Sequence, residues 1–148
     1  MDFQYFIIAE TVAQDSRGVI SLIGLDQNIV VAPSLPMRTK RAFIVGLRDN
    51  GQPVEGSVLE LEMRATAPGG EQVSSTTQEL QLGDRPYADL PGTLTLPTEA
   101  HIDLMEYGRY TVEAIVKVGD NEPISRAVEL YVVRPEESDS PHSASEAA

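Results

Sequence analysis

The stretch that decides the fold covers residues 105–119 and reads MEYGRYTVEAIVKVG. After its first glycine, apolar residues alternate with mostly polar ones. The apolar positions are Tyr110, Val112, Ala114, Val116 and Val118, and the positions between them are Thr111, Glu113, Ile115 and Lys117. Because successive side chains of a β-strand point to opposite faces, this period of two predicts a strand that is buried on one face and solvated on the other.

A tyrosine stands at the start of this strand, two residues after Gly108. Immunoglobulin-like sandwiches place a tyrosine at the start of a late strand, where its hydroxyl bonds the backbone of the preceding loop. We therefore assign Gly108 and Tyr110 a structural role. The sequence predicts an all-β protein, an immunoglobulin-like antiparallel β-sandwich.

Turn residues divide the rest of the chain into short strands, about eight in all, at the spacing typical of a sandwich. The first two form a hairpin around the turn 15–18, and a polar segment, Gln72–Leu82, is expected near a sheet edge. The stretch Glu99–Tyr107 fits neither period and is either one helical turn or a strand continuation. The predicted strands are Phe3–Ala13, Val19–Leu25 with a continuation at Asn28–Val31, Arg41–Arg48, Ser57–Ala67, Gln72–Leu82, Thr93–Leu96, Arg109–Val118 and Ile124–Val133.

Length and composition indicate one domain and a tail. The chain has 148 residues, of which 41% are hydrophobic, enough to bury a core without disulfides. We assign residues 1–134 to the sandwich. Residues 135–148 are acidic and have no large apolar side chain, so this tail is predicted to be disordered.

Net charge and cysteine content exclude or disfavour several classes of function. With 23 acidic against 11 basic residues, the net charge of −12 disfavours binding to nucleic acid or to an anionic membrane. The absence of cysteine excludes disulfides, thiolate catalysis and cysteine-held metals. The early apolar run Tyr5–Ala9 is too short for a signal peptide, so a cytoplasmic location is expected.

Several short segments together resemble a known family. They are YFIIAE at 5–10, GVISLIG at 18–24, Leu35-Pro36, GRY at 108–110 and VVRP at 132–135. These segments are similar to a family of small bacterial β-sandwich proteins that is classed as a domain of unknown function. The resemblance covers roughly residues 3–134 and implies a bacterial β-sandwich, with no activity and no functional residues to transfer.

The best metal-ligand candidates are His101, Asp103 and Glu106. On a strand, residues i and i+2 share a face, so the first two are expected to reach the same ion. A catalytic zinc site normally takes three protein ligands, and a polar loop at a sheet corner is the simpler interpretation. No cofactor is predicted.

Two further clusters are candidates for ion binding. Carboxylates and amides gather in three turns, which raises Ca²⁺ binding as a possibility, although these residues are also the default residues of turns. A basic cluster is a candidate for an anion or an acidic partner, or a charged start of a strand. The turns hold Asp49, Asn50 and Glu55, then Asp84 and Asp89, then Asp120, Asn121 and Glu122; the basic cluster is Arg38, Lys40 and Arg41.

Two classes of function stay open. The absence of a nucleophile elbow, a histidine pair and a phosphate loop favours a non-catalytic protein-interaction or assembly module over an enzyme. The alternative is a small-ligand or metal-binding protein, an enzyme included, with a site in the loops around 84–106. For the first class the candidate interface residues are Tyr5, Phe6, Ile7 and Ile8, because this strand is apolar on both faces and a sandwich normally buries one. The expected partner is another protein or a second copy of the chain.

Overall fold

A computed structural model describes residues 1–25, 28–49, 56–83, 90 and 92–136. This part of the chain is all-β, with 71% of its residues in strands and none in a helix. Its nine strands are β1 (Asp2–Gln14), β2 (Ile20–Leu25), β3 (Ile29–Val31), β4 (Met37–Arg48), β5 (Val58–Thr66), β6 (Gln72–Gln81), β7 (Thr93–Leu104), β8 (Gly108–Val118) and β9 (Ile124–Val133).

The strands form two sheets. Sheet A has the order β2-β1-β4-β7, and sheet B has the order β3-β9-β8-β5-β6 and curls into a half-barrel. All pairings are antiparallel except that of β3 with β9, which is parallel. The β1–β2 hairpin and the edge position of β6 confirm the sequence predictions.

One sequence prediction about strands is wrong, and of the two alternatives for Glu99–Tyr107 the strand continuation is the one observed. Residues 29–31 do not continue β2; they cross to sheet B and pair with Tyr131–Val133. The short strand predicted at Thr93–Leu96 runs on through Leu104, so His101 and Asp103 lie within β7 and not in a corner loop. Pro97 does not interrupt this strand, because β7 is at the edge of sheet A, where proline is tolerated.

The main core lies between the two sheets. The alternating residues of β8 are all buried, with Tyr110 fully inaccessible to solvent, and the same alternation buries one face of β5. Sheet A contributes the facing layer, including Phe6, Ile8 and Phe43. The central β-strands therefore follow the pattern read from the sequence.

A second, smaller cluster covers part of the outer face of sheet A. It consists of Ala9, Ala42 and Ile44, with Tyr5, Val12 and Leu22 packed against it. A β-bulge lies between Phe3 and Tyr5, where the register with β4 shifts by one residue. The bulge explains why Phe3 packs into the main core although Tyr5 packs on the outer face.

Candidate functional site

His101 and Asp103 share the outer face of β7, as residues two apart on a strand must. The Asp103 carboxylate accepts a hydrogen bond of 2.8 Å from the guanidinium Nε of Arg38 on the adjacent strand. This bond, with a smaller Coulombic contribution from His101, holds the pKa of Asp103 below its usual value. The carboxylate is thus engaged by a structural ion pair.

Glu106 lies beyond the end of β7, and its carboxylate accepts a 2.8 Å hydrogen bond from the amide of Gly69. Within the described residues, no three His, Asp or Glu side chains are grouped so that they could hold a metal ion. Residues 84–89 and 91 of the proposed 84–106 loop site lie outside the described residues. So do four members of the predicted Ca²⁺ loops: Asn50, Glu55, Asp84 and Asp89. The predicted tail also lies outside from residue 137 onward.

The basic cluster is paired by acidic residues of the same chain. Arg38 binds Asp103, and the Lys40 ammonium lies 3.0 Å from the Glu99 carboxylate on β7. Arg41 is partly buried, which lowers its pKa, and it donates hydrogen bonds to Thr39 and to the Lys40 carbonyl. The cluster therefore behaves as a charged strand with matching partners.

Gly108 and Tyr110 form a turn that fixes the start of β8. Gly108 has φ of +133°, and a Cβ at this position would lie 2.9 Å from the ring of Pro68. The Tyr110 hydroxyl donates to the Glu106 carbonyl at 2.8 Å and accepts from the amides of Met105 and Glu106. These residues tie the strand to the turn before it.

The four interface candidates are divided between the two faces of β1. Phe6 and Ile8 are buried between the sheets, while Tyr5 and Ile7 are half-buried. The Tyr5 hydroxyl is 3.2 Å from the hydroxyl of Thr95 across the outer face of sheet A. The chain therefore covers much of the apolar surface of β1 by itself.

A different feature distinguishes β1, because half of its length is unpaired on one side. Strand β2 pairs with β1 only from Ala9 onward, which leaves the same edge of Asp2–Ile8 without a neighbouring strand among the described residues. Strand β9 repeats this arrangement, since β3 pairs with it only from Tyr131 onward and, within the described part of the chain, leaves Ile124–Leu130 without a neighbouring strand on that side. Each open edge is seven residues long.

The two open edges face each other along one side of the molecule. We call this side the seam, defined by Asp2–Ile8 of β1 and Ile124–Leu130 of β9. A cleft of about 270 Å³ lies at the end of the seam that holds Asp2 and Ile124. A larger cleft of about 500 Å³ lies at the other end, near Ile8 and Glu129. The larger one is lined by Phe6, Ile7, Ile8, Asn28, Ala127, Val128, Glu129 and Tyr131.

Contacts across the seam show how β1 and β9 run. Asp2 and Ile124 line the smaller cleft, the Arg126 guanidinium stacks over the Phe3 ring at 5.4 Å, and higher-numbered residues of both strands line the larger cleft. The two strands therefore run side by side in the same direction. Arg126 lies on β9 between Ile124, which lines the smaller cleft, and Ala127, which lines the larger one.

Backbone hydrogen bonds show which groups of β9 point into the seam. The Tyr131 amide donates to the Asn28 carbonyl at 2.7 Å, so the backbone groups of Tyr131 face β3. Backbone groups alternate in direction along a strand. Ala127 and Glu129 therefore direct their amide and carbonyl groups into the open edge, while Val128 and Leu130 direct theirs toward β8.

The acidic side chain of the larger cleft has its own partners. The Glu129 carboxylate accepts a short hydrogen bond from the Tyr131 hydroxyl and lies 3.5 Å from the Arg109 guanidinium. The hydrogen bond to Glu129 is the first cause that raises the pKa of Tyr131. These side chains form the polar rim of a cleft whose floor is apolar.

Sequence reasoning did not find the seam. The centre of β1 is apolar on both faces, which indicated that both faces are covered. The seam, however, depends on how far β2 and β3 extend beside β1 and β9. Residues of β9 that line the cleft, such as Ala127 and Glu129, have no distinctive sequence pattern. Their place beside the seam follows only from which strands pair and over which residues.

Comparison with known proteins finds no matching protein-family model and no curated protein of significantly similar sequence. The family resemblance given above therefore stays a prediction. No helix in the described part of the chain is long and apolar enough to cross a membrane.

Proposed function

We propose that this protein is a non-catalytic interaction module that binds an extended segment of a partner protein in the seam. The segment adds as a β-strand to the open edge of β9 or of β1, and its apolar side chains fill the larger cleft. About seven residues in extended form span roughly 23 Å, which matches the length of the open edges.

This proposal depends mainly on one observation: β1 and β9 each have an edge that is paired along only part of its length. A strand edge offers unpaired amide and carbonyl groups, and such edges are normally covered or protected. Here β2 and β3 pair with the far halves of β1 and β9 and stop, and the near halves face each other beside a cleft lined by apolar and polar residues, with no ladder between them among the described residues. The seam thus offers backbone partners and side-chain pockets together, which strand addition requires.

Charge favours a basic partner. Three carboxylates, those of Asp2, Glu122 and Glu129, line the two clefts among the described residues. Arg126 stacks on Phe3 within the seam and Arg109 lies 3.5 Å from Glu129, so Asp2 and Glu122 carry most of the negative charge that is left. The whole chain carries −12. Such a field attracts a cationic segment and raises its association rate. The expected ligand therefore alternates apolar residues with lysine or arginine.

We also propose that the two sheets are a variant of the immunoglobulin-like sandwich. Supporting this are the two packed sheets and the hydroxyl of Tyr110, which bonds the turn before its strand as in a tyrosine corner. A cytoplasmic location is part of the proposal, since a chain without cysteine suits a reducing compartment.

The experiment is a selection of random peptides displayed on phage against the whole protein, followed by affinity measurement with the selected synthetic peptide. We expect basic peptides with alternating apolar residues. The test variant is Ala127→Pro, which removes an amide that faces the seam and leaves the ladder with β8 intact. Binding should fall roughly tenfold or more, the loss of one backbone hydrogen bond in a desolvated site.

Ala127→Ser is the matched control, because it keeps the amide and nearly the same volume, and it should bind like the wild type. Ala127→Lys provides a second blocking variant that repels a cationic peptide if the proline variant folds poorly. Selected peptides that bind all three variants equally, or a selection that enriches no peptide, would rule out the seam as the binding site.

A further inference from the structure

The four outer edges of the two sheets are not equally protected. Strand β7 carries Pro97 and three ionisable residues, and β6 lies against it through hydrogen bonds from Gln78 to Thr98 and from Ser74 to the His101 carbonyl. Strand β3 has only three residues. Proline, charge, covering contacts and short length are the means by which proteins prevent edge pairing.

Strand β2 has none of these protections. Residues 18–25 contain no charged residue and no proline, and β2 is six residues long. Its outward-facing Ile23 and Leu25 are each 53% exposed. They lie opposite Thr11 and Ala9 in the register with β1, and the neighbouring Leu22 packs against the outer cluster of sheet A. Among the described residues, β2 has no hydrogen-bonded strand on its outer side.

We infer that β2 pairs antiparallel with β2 of a second copy of this chain, joining two A sheets into one continuous sheet of eight strands. This surface is separate from the seam, which lies along the opposite halves of β1 and β9. The inference therefore adds an assembly state to the proposed binding function and does not depend on it.

The uncharged, self-complementary sequence of β2 favours a second copy as the occupant. Two chains of −12 repel each other, yet edge-to-edge pairing brings together only the uncharged segment and keeps the bulk of each molecule apart. This neutral edge offers no ion pair to an acidic or basic partner segment. A second β2 supplies the same apolar residues on the same face, so the contact is self-complementary.

The test is sedimentation of the full chain from micromolar to submillimolar concentration. We expect the mass to rise from 16.1 kDa toward twice that value. Ile23→Lys should weaken association roughly tenfold or more, since it places like charges at the paired edge. Ile29→Lys is the matched control on β3, where isoleucine is 57% exposed, and it should leave association unchanged.

Single cysteines introduced one at a time at residues 21–24 give a second readout, because the chain has no cysteine of its own. In a two-fold antiparallel pair one residue lies directly opposite its own copy, within disulfide distance. Oxidation should therefore cross-link one of these variants far more than its neighbours, and Ile29→Cys very little. A monomer at every concentration, or a dimer that responds to Ile29→Lys and not to Ile23→Lys, would overturn the inference.

Discussion

The hydroxyl of Tyr110 donates a hydrogen bond of 2.8 Å to the carbonyl of Glu106, four residues earlier in the chain. The same oxygen accepts hydrogen bonds from the amides of Met105 and Glu106. The ring of Tyr110 is fully buried, so one side chain anchors both the core and the turn that leads into β8.

This arrangement predicts a graded response to substitution. Tyr110→Phe keeps the ring and removes the hydroxyl, so it should cost about 1–2 kcal/mol of unfolding free energy. Tyr110→Ala also leaves a cavity and should cost about 3–5 kcal/mol. Urea denaturation of both variants measures the difference. Equal and negligible losses would show that the tyrosine does not anchor the turn.

Gly46 and Tyr5 provide a second test on the outer face of sheet A. A Cβ on Gly46 would come within 3.0 Å of three atoms of the Tyr5 ring. Gly46→Ala should therefore displace the ring and cost about 1–3 kcal/mol. In a Tyr5→Ala background the same change should be neutral or stabilising, because alanine suits a strand better than glycine. A double-mutant cycle that shows additive effects would contradict this contact.

The raised pKa of Tyr131 predicts a measurable titration. The Glu129 carboxylate stabilises the protonated phenol, so folded Tyr131 should ionise at higher pH than an unfolded tyrosine. The stability that the Tyr131–Glu129 hydrogen bond contributes is present below the pKa of Tyr131 in the unfolded chain. It is lost as the pH rises through the higher pKa of Tyr131 in the folded protein. Phenolate absorbance should include a late component, which moves to lower pH in Glu129→Gln and is missing in Tyr131→Phe. An unchanged titration in Glu129→Gln would refute the assignment.

The sequence predicted the central strands well because their signal is local. In β8 and β5, side chains alternate between core and solvent along one continuous segment, and no distant residue is needed to see it. Part of β7 has the same alternation, with Ala100, Ile102 and Leu104 buried, but the whole stretch Glu99–Tyr107 fits neither period, and Pro97 lies inside the strand. Proline breaks a central strand, whereas at a sheet edge it removes no ladder bond.

The place of β3 and the seam were not predictable in the same way. Three residues carry too little pattern to show that Ile29–Val31 crosses to sheet B, because its pairing partner lies a hundred residues later at Tyr131–Val133. The seam follows from where β2 and β3 end relative to their neighbours. Such lengths are set by tertiary pairing and not by propensity.

Amide hydrogen exchange along β9, resolved by NMR, tests the central claim most directly. In the free protein Ala127 and Glu129 should exchange fast and Val128 and Leu130 slowly, because the first pair faces the seam and the second pair bonds β8. Adding the selected basic peptide should protect Ala127 and Glu129. Slow exchange at all four positions without peptide, or no added protection with it, would contradict an open edge that accepts a strand.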